Sequence, residues 1–144
     1  MFDAAGIKPG DSVLIQGAGG GVSTAAIQLA HAAGLEVFVT SRDADKRSKA
    51  LKLGANAALE IGARLPRKDD AVIESVGEAT FFQDIRVQGC TMGSREDFAR
   101  LLRFVEHANL HPAIESVVSG LDAAPEAFAK MIAGDVFGKI VIEL

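Results

Sequence analysis

The chain has 144 residues, 49% hydrophobic and 24% charged, which is enough for one domain with a core and too apolar for a disordered chain. Its 15 Lys and Arg against 19 Asp and Glu give a net charge of −4, a balance that excludes a surface built to neutralise nucleic acid. The single cysteine, Cys90, excludes an internal disulfide, a Cys₄ zinc site and an iron–sulfur cluster, and fits a reducing, cytoplasmic setting. No apolar run is long enough to span a bilayer, and Met1 to Gly6 carries no basic, apolar leader pattern, so neither a membrane span nor a signal peptide is expected.

Short apolar runs alternate with helical patterns along the chain. Ser12 to Gln16 (SVLIQ), set between Pro9-Gly10 and Gly17, reads as a buried parallel strand. A helix over Val22 to Ala33 follows, with Gly34 as its stop. Glu36 to Thr40 (EVFVT) is the second strand. Asp43 is placed to cap a helix that runs to Leu53 and stops at Gly54, with Lys49 and Lys52 at its negative end. Asn56 to Glu60 is a weak third strand, Asp70 to Ser75 (DAVIES) a fourth, and Arg86 to Cys90 a fifth run of strand type. Ser94 with Asp97 opens a helix in which Phe98, Leu101, Leu102 and Val105 form the clearest apolar stripe of the chain. Ile114 to Val118 is a strand candidate, Asp122 to Ala133 a helix that tolerates Pro125 in its first turn, and Lys139 to Glu143 (KIVIE) a terminal strand.

This alternation predicts an α/β fold, a doubly wound parallel sheet of the Rossmann kind with strand order 3-2-1-4-5-6. One stretch does not fit. Only nine residues, Val76 to Asp84, join the fourth and fifth strand runs, whereas a parallel crossover takes about a dozen or more and usually a helix. Either the sheet is irregular there, or one strand–helix unit of about 30 residues is lacking, with the junction expected between Thr80 and Gln83.

The candidate site is the run Gln16-Gly17-Ala18-Gly19-Gly20-Gly21-Val22-Ser23. It leaves a strand and opens a helix, and a second strand follows about 20 residues on, the context in which a G-x-G-x-x-G run indicates a dinucleotide site. Glycines permit the tight turn and let the backbone approach a pyrophosphate, while the helix start aims its N–H groups and positive dipole end at it. The competing explanation is a glycine-rich turn that merely packs a helix close to a strand. Ser23 takes the third fingerprint position and is small enough for that packing. At the end of the second strand, NAD-preferring folds place an acid for the ribose 2′-OH. Here Ser41 and Arg42 stand instead, with Lys46 a turn later, donors and cations that suit a 2′-phosphate. NADP is therefore favoured, with NAD the second candidate. An ordinary solvated face of Arg42, Lys46 and Arg47 is the bland alternative.

The run AGIKPGDSVLIQGAGGGVSTAAIQLAHAAGLEVFVTSRDADKRSKALKLGAN, continued by DDAVIESVGEAT, GCTMGSREDFARLLRFV and FGKIVIEL, resembles the cofactor domain of the medium-chain dehydrogenases/reductases. These comprise zinc-type alcohol dehydrogenases and zinc-free quinone oxidoreductases. The resemblance implies hydride transfer at the nicotinamide C4, with small alcohols, carbonyls, enones or quinones as substrates. It makes Gly17, Gly19, Gly20, Gly21, Val22 and Ser23 the pyrophosphate loop, and Ser41 the occupant of the acid's place. It puts Lys46 beside the adenosine ribose, Ser75, Val76 and Gly77 along the cofactor, and Lys139 within reach of it. It divides the chain into a dinucleotide-binding domain, 1–112, and a segment, 113–144, that in the family returns to the catalytic domain. A homodimer is a candidate assembly. Three departures stand out. Ile61 occupies a place where NADPH-using quinone reductase-like members often carry tyrosine. The helix and the Pro-Gly-Gly strand that the family has after GEAT are not in this sequence, and neither is the family's N-terminal catalytic domain.

No catalytic acid or base emerges. His31, His107 and His111 lack metal-ligand spacing, so no metal site is expected. Cys90 reads as a small buried residue, and Phe81-Phe82 as core or interface rather than a base-stacking platform. The leading expectation is the NAD(P)-binding portion of an oxidoreductase, inactive by itself. The competing class is a stand-alone nucleotide-sensing module, and a third is a different adenosine ligand, such as S-adenosylmethionine, on the same fold.

Overall fold

The computed structural model describes residues 6–63, 71–73 and 93–144. The first part is a parallel sheet of four strands, β1 (Ser12–Gln16), β2 (Glu36–Thr40), β3 (Ala57–Leu59) and β4 (Ala71–Ile73), in the order β3-β2-β1-β4. The register runs Leu14 opposite Phe38 and Val72, and Val39 opposite Ala58. β1 is central, and Ser12, Val13, Leu14 and Ile15 are all buried. That is the reason for its unbroken apolar run, because a central strand covered on both faces has no solvent side to alternate with.

Helix α1 (Gly21–Ala32) and helix α2 (Ala44–Lys52) connect the strands. The contact face of α1 is built from small residues and one isoleucine, with Ser23, Thr24, Ala26, Ile27 and Ala30 buried. Alanines let the helix axis lie close to the sheet, and Ile27 fills the remaining gap at no solvent exposure, a burial that contributes about 1.5–3 kcal/mol. Asp43 caps α2 as its sequence predicts, accepting from the backbone N–H of Asp45 at 2.8 Å and Lys46 at 3.2 Å. The order 3-2-1-4 agrees with the expectation for the first four strands.

The second part holds helix α3 (Arg95–His107), strand β5 (Ile114–Ser119), a short 3-10 turn (Leu121–Ala123), helix α4 (Ala124–Ile132) and strand β6 (Lys139–Glu143). The fourth helical pattern, read from sequence as one helix from Asp122, is thus a 3-10 turn followed by α4. β5 and β6 pair in parallel as a two-stranded sheet of their own. This part is fastened to the first. Phe137, just before β6, is buried in the same core cluster as Val13, Ile15, Ile27 and Val39. Gly138 N–H donates to the Gly19 carbonyl at 3.0 Å, and the Gln28 amide donates to the His111 carbonyl at 2.7 Å.

α3 opens with a full capping box between Ser94 and Asp97. Its apolar stripe is nevertheless exposed, with Phe98 at 61% and Leu102 at 52%. The periodicity marks the face as apolar, but no residue of α3 is buried. Arg86–Cys90, Phe81-Phe82, the crossover Val76 to Asp84 and the junction expected between Thr80 and Gln83 lie outside the described residues.

Candidate functional site

The carboxyl ends of β1 and β2 open onto a cleft of about 1190 Å³. In open parallel sheets this edge is where ligands bind. Its floor is the glycine loop. Gly17 adopts φ +82°, a backbone conformation that costs glycine little and other residues much, and its N–H donates to the Thr40 carbonyl at 2.9 Å. The turn therefore leaves β1 sharply, and α1 begins four residues later.

The N-terminus of α1 carries no side-chain cap and no acid in its first turn. The residue before it, Gly20, is extended and has no side chain to offer. Its carbonyl instead accepts from Thr24. Two cations approach this positive helix end. A Cβ built on Gly21 would lie 2.5 Å from the Lys139 Cε and against its ammonium. A Cβ on Gly19 would lie 2.9 Å from the Lys46 Cδ and 3.0 Å from the Val136 carbonyl oxygen. At Gly19 the Val136 backbone leaves little room for a side chain, whereas at Gly21 the neighbour is the flexible end of Lys139. The Lys46 ammonium donates to the Gly134 carbonyl at the end of α4.

At the end of β2, Ser41 is buried at 7% exposure. Its hydroxyl oxygen accepts from Asp43 N–H at 3.2 Å. The nearby acid, Asp43, is held below the usual carboxylate range, first by the hydrogen bond from the Lys46 backbone, so its charge is tied to the start of α2. Arg47 donates through Nη1 to the Ser41 carbonyl at 2.7 Å and the Arg42 carbonyl at 3.1 Å, and pairs through Nη2 with Glu60 at 3.1 Å. Arg47 therefore braces the turn and is not available to a ligand. Arg42 is exposed at the cleft, and no ion pair or hydrogen bond engages its guanidinium among the described residues. The far wall is apolar, from Phe128 and Met131 of α4 and Ile140 and Ile142 of β6.

Of the residues singled out in the sequence, Gly17, Gly19, Gly20, Gly21, Ser23, Ser41, Arg42, Lys46 and Lys139 line this one cleft. Val22 sits in the first turn of α1 and is exposed at 62%, outside the lining. Ser75, Val76 and Gly77 lie outside the described residues. Lys46 reaches toward the glycine loop and α4. Sequence reasoning missed the bracing role of Arg47, the insertion of Phe137 and the part played by Glu115, none of which has a local sequence signal.

The fold and cleft define a Rossmann-type α/β nucleotide domain. A family model described as zinc-binding dehydrogenase matches residues 21–84. A zinc-type alcohol dehydrogenase-like protein of Leptosphaeria maculans is 26% identical over 185 residues, covering 95% of this chain and 52% of that protein. A Bacillus subtilis protein named as a probable formaldehyde dehydrogenase is 30% identical over 175 residues, covering 96% of this chain and 49% of the relative. The crystal structure of an NAD-dependent alcohol dehydrogenase superposes with TM-score 0.82 at 28% identity, over 99% of this chain and 54% of that one. These matches support a cofactor-binding domain of the medium-chain dehydrogenase/reductase family. The chain spans about half the length of the curated relatives it matches. The 185- and 175-residue matches exceed the chain's own 144 residues by 41 and 31 positions. The relatives therefore carry residues, in one stretch or several, that this chain lacks.

Proposed function

We propose that this chain is the NAD(P)-binding portion of an oxidoreductase that moves hydride between a nicotinamide cofactor and a small alcohol, carbonyl, enone or quinone. The observation that carries the reading is the convergence at Gly19–Gly21: an uncapped helix N-terminus, no first-turn acid, and the Lys46 and Lys139 side chains against the loop. Three positive features at one point are balanced by an anion, and a dinucleotide pyrophosphate has the charge and the slender shape for a cradle that a Cβ would fill. The nicotinamide ring, when bound, supplies hydride acceptance or donation at C4.

The chain's own residues bind and orient. The N–H groups from Gly19 to Ser23 face the pyrophosphate, and Lys139 neutralises it. Ser41 and Arg42 meet the adenosine ribose, where a guanidinium that no carboxylate pairs with among the described residues favours a 2′-phosphate and hence NADPH. Phe128, Met131, Ile140 and Ile142 give the apolar wall a nicotinamide half would need, and Ser75, Val76 and Gly77 are further cofactor contacts in this reading, on the strength of the family resemblance alone. Residues 1–112 form the dinucleotide domain in this reading, and 113–144 the segment that leads back to a catalytic domain. A cytoplasmic setting belongs to the same reading.

Calorimetric titration of the chain with NADPH and NADH tests it. Binding of both, with NADPH tighter, is expected. Gly21→Asp places a carboxylate beside the Lys139 ammonium and in the pyrophosphate position, so it abolishes binding. No binding of either cofactor, or full binding by Gly21→Asp, overturns the reading.

A further inference from the structure

Glu115, outside the cleft, meets groups from three other parts of the chain. Its carboxylate accepts from Phe137 N–H at 3.4 Å, and it faces Lys130 of α4 at 3.5 Å and Lys49 of α2 at 3.8 Å. Lys49 is itself held by Asp45 at 3.2 Å and lies 5.8 Å from the centre of the Phe137 ring. The side chain of Glu115 is only 22% exposed, so these contacts are less screened than those of a surface pair.

The backbone explains how a strand residue reaches all three. The β5–β6 register shifts between Ile114 and Ser116, so that Ile114 pairs with Lys139 and Ser116 with Ile140. Glu115 is the extra residue of this irregularity. Bulges re-aim side chains, and they recur beside functional sites. The shift turns Glu115 out of the ladder toward Phe137. The partner strand is locked at the same place. A Cβ on Gly138, whose φ is +102°, would lie 2.9 Å from the Ala113 carbonyl carbon and against its oxygen, and Lys139 N–H donates to that oxygen at 2.9 Å.

We propose that Glu115 is a positioning residue for the phosphate cradle: it fixes the strap 136–139 against the glycine loop, and thereby sets Lys139 over Gly21. The inference rests on the reading of the cleft as a dinucleotide site. The chain of contacts is short. Glu115 holds Phe137, Gly138 holds the Gly19 carbonyl, and Lys139 follows in sequence. Glu115 itself does not line the cleft, so a loss of affinity in its variants passes through the strap.

A double-mutant cycle on the 144-residue chain tests this, with NADPH affinity by calorimetry and melting temperature as separate readouts. Glu115→Ala is expected to weaken NADPH about tenfold in the native background and less than twofold in a Lys139→Ala background, because the lysine it positions is gone. Glu115→Gln keeps the shape and an acceptor for Phe137 N–H, loses the ion pairs, and is expected to fall between the two; should Glu115→Ala not fold, this variant carries the cycle alone. Equal losses in both backgrounds would show a general structural role and overturn the proposal, as would unchanged affinity in the Glu115 variants. If the native chain binds no NADPH, the cofactor reading itself fails. If Lys139→Ala weakens binding and Glu115→Ala does not, only the Glu115 inference fails.

Discussion

Replacing Gly21 by alanine separates the stability of the cradle from its use. The backbone at Gly21 is helical, and the added methyl would clash only with the end of the Lys139 side chain, 2.5 Å away at Cε. A lysine terminus is flexible, so the fold gives way cheaply. Alanine is also the better helix former by up to about 1 kcal/mol, less at a first position. The melting temperature is therefore expected to stay level or rise. The cradle responds in the opposite direction. The methyl occupies the approach to the N–H groups and pushes the ammonium aside. A hydrogen bond to a charged group contributes about 1.5–3 kcal/mol. Lys139 is exposed, which places the loss at the lower end, about tenfold in Kd. Calorimetric titration with NADPH, beside a thermal melt, reads both quantities. Unchanged affinity with an intact fold would show that the pyrophosphate does not sit at this helix end.

Arg42→Ala is expected to weaken NADPH by about 1–3 kcal/mol and to leave NADH nearly unaltered; parallel titrations that show equal losses would remove the 2′-phosphate argument. Phe137→Ala empties a place in the core cluster and is expected to cost about 3 kcal/mol in urea unfolding, with a cost under about 1 kcal/mol contradicting the packing. Asp97 is held at about 2, first by the hydrogen bond from Arg100 and then by those from Ser94. A carboxyl lowered in the folded state stabilises fully above its ordinary value of 3.8 and loses that contribution as pH falls toward about 2. The melting difference between the native chain and Asp97→Asn should therefore be constant near neutrality and shrink between those two values; a difference that persists at the acid end would refute the assignment.

The first part of the fold was legible because its signals are local. A buried central strand has an apolar run without alternation, as Val13-Leu14-Ile15 is, and the glycines after the helices and the Asp43 cap mark boundaries that depend on a few neighbouring residues. The glycine loop was legible for the same reason, since strand, turn and helix start are contiguous. Arg47 and Glu115 were not. Arg47 sits in a run of helix-surface charges and differs from Arg42 in the carbonyls and the Glu60 carboxylate it meets once β2 and α2 are packed. Glu115 depends on a register shift and on partners up to 66 positions away, and no pattern along the chain encodes either. The exposed stripe of α3 shows the converse limit. Periodicity states that a face is apolar, while what it covers is decided by elements elsewhere.

The charge layout gives the division of labour between the two ends of the chain. The N-terminal part supplies the helix end and the backbone N–H groups, a cradle whose field is positive but weak in number of charges. The formal charges that complete it come from Lys46, held to the Gly134 carbonyl, and from Lys139, and both are placed by the segment that ends in β6. That segment also contributes the apolar wall and buries Phe137 in the core of the nucleotide domain. A dinucleotide in this cleft would touch the glycine loop on one side and the 113–144 segment on the other. Binding energy would then tighten the seam between them, and any movement of that segment would be felt first as a change in where the Lys139 ammonium stands over the helix.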